Sequence, residues 1–197
     1  LILVERVTKV AILISGRGSN MIALADAISA PDFPAEVVGV IADKKDAAGL
    51  MTAADMNIAT GAFARADYAS KAEHETAIHN QLSEWDADII CLAGFMRLLS
   101  ADFIDKWAGE IINIHPSILP KYKGLNTHQR ALDAGDDEHG CTVHYVTAGM
   151  DEGPVIAQAK VPILSGDTET TLTARVLEQE HKLYAQALRD VIERQKP

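Results

Sequence analysis

The chain has 197 residues, 48% of them apolar, and a formal net charge of −10. That length and apolar content predict a single globular domain over 1–197, and no apolar run approaches the roughly 18 residues of a membrane span. The acidic balance argues against a dominant nucleic-acid surface, which needs clustered Lys and Arg, and the opening Leu1–Arg6, with Glu5 near its start, lacks the basic-then-apolar layout of a secretion signal. A soluble cytoplasmic protein is the expectation. Cys91 and Cys141 each lie inside an apolar segment and read as buried thiols rather than a disulfide framework.

Thr8–Ser15 (TKVAILIS) is a short β-rich run that stops at Gly16, and Met21–Ala30 has helical spacing, giving strand, glycine turn, helix. The alternation returns with Ala35–Ala42 and the helical Ala47–Met56, then an extended Ala59–Ala64 and a helical Tyr68–Trp85. Near-continuous apolar strands between helices predict a parallel sheet buried on both faces. Ile89–Ala93 and Glu110–Ile114 are the next strands, on either side of a short helix in Ser100–Ala108. Cys141–Val146 and Val155–Val161, joined by Thr147–Pro154, predict an antiparallel addition, and Thr168–Gln195 one long terminal helix. The fold class is α/β: a doubly wound, mostly parallel, Rossmann-like sheet with an antiparallel strand addition near the C-terminus. Ligands of such sheets sit at the carboxyl ends of the strands.

Three motifs fall at such ends. Ser15-Gly16-Arg17-Gly18-Ser19-Asn20 lies where the first strand hands over to the first helix, where glycines allow a tight turn and exposed N–H groups attract an anion. Met21 stands where a dinucleotide fingerprint needs a third small residue, so one phosphate fits better than a pyrophosphate; a purely structural turn with Asn20 as N-cap is the alternative. Asn113 and His115, two apart at a strand end, can face one pocket as an oxyanion and proton-transfer pair, whereas a lone strand-end histidine is ordinarily a polar terminus. Asp151, in Met150-Asp151-Glu152-Gly153-Pro154, is a carboxylate that can favour a charged imidazole, or simply a turn former. A metal site from His139, Cys141 and His144 is disfavoured, because the first two share a strand face and the third lies on the other.

Ile14–Asn20 (ISGRGSN), Leu92–Ser100 (LAGFMRLLS), Asn113–Pro120 (NIHPSILP), Asp137–Val146 (DEHGCTVHYV) and Asp151–Pro154 (DEGP), in that order, closely resemble the phosphoribosylglycinamide formyltransferase family, over about Val10 to Tyr184. The resemblance implies transfer of a formyl group from 10-formyltetrahydrofolate, a co-substrate, to the amine of phosphoribosylglycinamide in purine synthesis. It implies two small-molecule ligands, no metal, no nucleic-acid or membrane partner, and a monomer or homodimer. Gly18, Ser19 and Asn20 match the family's phosphate turn and Glu180 its substrate-contacting acid. Met96, Arg97, Leu98 and Leu99, together with Asn113, match the folate contacts, and Lys71 stands where a basic folate contact, often Arg, is expected. Asn113, His115 and Asp151 match the catalytic trio. Lys121, Lys123, Asn126 and His128 lie in a loop resembling a substrate-proximal region, with His144 a possible lining residue; Glu152 stands where a small residue is common. Related enzymes with the same core, methionyl-tRNA formyltransferase and formyltetrahydrofolate hydrolase, carry additional domains, and a nucleotide-binding module without catalysis would need no trio.

Overall fold

The computed structural model describes residues 6–195; Leu1–Glu5, most of the segment weighed as a secretion signal, lie outside them. The chain divides into two compact units, one running to Met96 and resuming at Arg189, the other formed by Arg97–Leu188.

The first unit contains β1 (Thr8–Ile14), α1 (Ser19–Ile28), β2 (Ala35–Ala42), α2 (Ala48–Asp55), β3 (Thr60–Ala62), α3 (Lys71–Glu84) and β4 (Ile89–Leu92). Its strands are parallel, in the order β3-β2-β1-β4. Val10, Ala11, Ile12, Leu13 and Ile14 are all fully buried, which is what a continuous apolar strand covered on both faces requires. The helix expected from Tyr68 begins later, at Lys71, because Arg65–Asp67 closes a 3-10 turn and Ser70 then caps α3: its hydroxyl accepts the Glu73 N–H at 3.1 Å while the Glu73 carboxylate accepts the Ala69 N–H at 3.2 Å.

The second unit contains α4 (Ala101–Lys106), β5 (Ile111–His115), α5 (Thr127–Ala134), β6 (Glu138–Tyr145), β7 (Val155–Pro162) and α6 (Glu169–Gln195) as far as Leu188. Its strands are antiparallel, with Asn113 of β5 opposite His144 of β6 and His115 opposite Thr142. Beside that rung β7 bulges, since Val143 faces Ala157 but His144 faces Val155. Helix α5 falls where no element is expected from the sequence, and β6 begins at Glu138, three residues before the expected Cys141.

α6 has no internal Gly or Pro, and Leu172, Val176, Tyr184 and Leu188 form a buried stripe at helical spacing. The Tyr184 hydroxyl donates to the Ile112 carbonyl at 3.1 Å, tying α6 to β5. At its start the Arg175 guanidinium grips Asp167 at 2.6 and 2.9 Å and holds that carboxyl below its usual range. Among the described residues no helix is long and apolar enough to cross a membrane.

Candidate active site

In the first unit, Gly18 adopts the left-handed backbone (φ 73°) that turns β1 into α1. Its carbonyl accepts the first helical N–H, from Ile22, at 2.9 Å. Gly18 is therefore the N-cap, and Asn20 is not: it lies buried in the first helical turn. Gly18 has no side chain with which to cap the helix. The turn borders a cleft of about 330 Å³ whose walls include Gly18, Ser19, Asn20, Arg17 and Lys44. The Gly49 N–H donates to the Gly16 carbonyl at 3.0 Å, and a Cβ at Gly49 would come within 2.5 Å of the Ile14 side chain, so α2 buttresses the turn backbone to backbone. The Ser15 hydroxyl accepts the Met96 N–H at 2.8 Å, fixing the start of the expected folate segment beside the same turn. Met96 is 64% exposed; of the residues that follow it in the second unit, Leu98 is 62% exposed, Arg97 is exposed and Leu99 is half-buried. Lys71, at the start of α3, leans toward Glu75 of the next turn at 3.8 Å.

In the second unit, the side chains of Asn113 and His115 emerge on one face of β5, and those of Thr142 and His144 face them from β6. His115 is buried. Its Nε2 lies 2.9 Å from the Tyr122 carbonyl and its Nδ1 3.5 Å from Asp151 Oδ2. Both neighbours only accept, so a doubly protonated ring satisfies both and a neutral ring one. Asp151 is held with φ 51°, and its Oδ2 also accepts the Gly124 N–H at 2.9 Å. His144 behaves differently. Its Nδ1 faces the Tyr145 carbonyl at 2.9 Å and therefore carries the proton, leaving the Nε2 lone pair for an Asn113 amide N–H at 3.2 Å. Burial keeps this ring below the usual imidazole range despite Asp151 Oδ1 at 3.7 Å. His144 thus fixes the orientation of the Asn113 amide and leaves its second N–H available.

The remaining expected residues fall around this cluster. Lys121 pairs with Asp136 at 3.0 Å and Lys123 with Glu152 at 2.8 Å, so both loop charges have internal partners. Asn126 takes the left-handed cap position of α5 at φ 56°. His128 Nδ1 lies 3.1 Å from His139 Nε2, and burial pushes the His139 ring down to about 4. Glu180 is buried on the α6 stripe. Cys141 is pushed up to about 12, first by burial and then by the Glu180 carboxylate. The Tyr122 carbonyl and the Gly124 N–H also belong to the cluster, backbone groups that no residue type announces.

A parallel α/β unit with a glycine turn opening its first helix, and Asn113 and His115 of an antiparallel pair beside Asp151 of the following loop, are the arrangement to be compared with known enzymes. A family model described as Formyl transferase matches residues 8–188, and the chain belongs to that family. It is 46% identical over 176 residues to the phosphoribosylglycinamide formyltransferase of Haemophilus influenzae, covering 89% of this chain and 83% of that protein. It is 45% identical to the trifunctional purine biosynthetic protein adenosine-3 of Homo sapiens, covering 93% of this chain but 18% of that longer protein. The crystal structure of phosphoribosylglycinamide formyltransferase from Brucella melitensis superposes with a TM-score of 0.91 at 57% identity, covering 94% of this chain and 95% of that one. That likeness confirms the doubly wound α/β class with its antiparallel strand addition.

Proposed function

We propose that the chain transfers the formyl group of 10-formyltetrahydrofolate to the amine of phosphoribosylglycinamide, and that 1–197 acts as one formyltransferase domain. The observation that carries this reading is the buried His115 gripped between Asp151 and the Tyr122 carbonyl, with Asn113 on the same strand face. The folate supplies an activated formyl carbon. Met96 and Leu98 offer apolar surface to its ring, with Arg97, Leu99, Asn113 and Lys71 as further contacts.

Gly18, Ser19 and Asn20 take the substrate phosphate on backbone N–H groups at the positive end of α1. Glu180 contacts the glycinamide portion. As the amine attacks, the Asn113 N–H that His144 leaves available donates to the formyl oxygen, and His115 does the same from its charged form. The His115 proton rests on an uncharged carbonyl, an acceptor that a developing oxyanion outcompetes. Asp151 orients the ring and faces its Nδ1, and His115 assists the proton movements that release tetrahydrofolate. The enzyme works in the cytoplasm as a monomer or homodimer on small molecules.

The test is tetrahydrofolate release from 10-formyltetrahydrofolate, with and without phosphoribosylglycinamide, for the intact chain and His115→Ala. Release that needs the amine and collapses in the variant is expected. Amine-independent release would mean hydrolysis instead.

A further inference from the structure

His115 is held by two loops. Residues 147–154 carry Asp151; residues 116–126 carry the Tyr122 carbonyl and the Gly124 N–H that Asp151 accepts. The second loop is well fixed on its far side. Lys121 Nζ reaches both Asp136 oxygens at 3.0 Å, the Tyr122 hydroxyl donates to Asp136 at 2.6 Å, and Arg130 donates to the Lys123 carbonyl at 2.7 Å. Toward Asp151 the described contacts are the Gly124 N–H and one ion pair, Lys123 Nζ to Glu152 Oε1 at 2.8 Å.

We propose that Lys123 and Glu152 are a positioning pair that ties these two loops together and so sets Asp151 and the Tyr122 carbonyl against His115. The inference rests on the role given above to Asn113, His115 and Asp151. Lys123 lies between Tyr122 and Gly124 in sequence, and Glu152 directly follows Asp151, so the ion pair joins the neighbours of the very groups that touch the imidazole. The Glu152 carboxylate lies over the backbone of Gly149, where a Cβ would meet its Oε2. The pair also balances charge: the Lys123 ammonium offsets the Glu152 carboxylate, and Asp151 is the carboxylate that faces the ring. With side chains 38% and 58% exposed, the pair contributes little to global stability, so its effect belongs in turnover rather than in the melting temperature.

The experiment compares Lys123→Glu, Glu152→Lys and the double charge swap, reading kcat, both KM values and hydrogen exchange of the Gly124 amide. Each single reversal should lower kcat about three- to tenfold, on the scale of contacts within one network, and speed Gly124 exchange by a similar factor. Both KM values should stay within about twofold, and the swap should bring kcat and exchange back to within about twofold of the starting chain. Gly149→Ala, which keeps both charges but crowds the Glu152 carboxylate, should move kcat and Gly124 exchange in the same direction as Glu152→Lys and by less. A swap no better than the singles overturns the proposal, as does a rise confined to the KM of the phosphorylated substrate, which would make Lys123 a direct ligand. If the intact chain transfers no formyl group, the functional reading falls; Gly124 exchange across the same variants still decides the pair.

Discussion

In the turn between β1 and α1, consecutive residues supply most of the arrangement, and what they offer is backbone N–H around a left-handed Gly18. At the end of β5 the groups brought together are side chains from β5, β6 and the loop that carries Asp151, and backbone groups of a second loop grip them. A contiguous, backbone-built feature tolerates exchange of side chains that neither fill the cleft nor change its charge. An assembled, side-chain-built one depends on each partner's register and charge. The first suits recognition of a diffuse anionic charge, the second proton movement at a defined atom.

The sharpest way to break this contrast is Asp151→Asn. It keeps the shape and the Gly124 contact but removes the charge facing His115, and turnover should fall about 10²–10⁴-fold while the fold survives. Steady-state kinetics beside circular dichroism checks it, and an unchanged kcat would take Asp151 out of the mechanism. Ser19→Glu tests the other half. A carboxylate at the helix start should raise the KM of the phosphorylated substrate at least about tenfold, by like-charge repulsion, with far less effect on the folate KM. Equal effects on both would mean that the turn is not the phosphate site.

The smallest effect concerns buried titratable groups, a feature of the second region. His139 is pushed down to about 4, mainly by burial, so the folded ring stays neutral while the unfolded one takes a proton below about 6.5. Its contribution to stability is complete above about pH 6.5 and is lost progressively as pH falls toward 4, by something on the order of 1–3 kcal/mol. Urea midpoints at several pH values should show the decline, and His139→Gln should flatten it.

The same contrast governs what the sequence discloses. Contiguous apolar runs disclosed the strands of the first unit, and β2 matches its expected bounds because its residues alone determine its character. α5 escaped because only Thr127 and Ala131 of its eight residues are buried, leaving no apolar stripe, and because its cap is an Asn126 in a left-handed conformation rather than a capping side chain. β6 starts early because Glu138, His139 and Gly140 pair with Pro162, Val161 and Lys160, a register that periodicity does not report. For the site, local pattern marked the glycine turn, but only the family resemblance brought Asp151 to His115 across 36 positions of sequence. His144 was visible as a residue and not as a partner, since its role comes from standing opposite Asn113.

That rung between β5 and β6 also decides which changes of length a lineage can survive. One residue inserted into or deleted from either strand, between the rung and the paired core, would turn Asn113 and His144 to opposite faces and silence the chemistry without altering any site residue. Gains and losses of residues should therefore collect at exposed turns away from His115, while β5 and β6 keep a fixed count even where their residues drift.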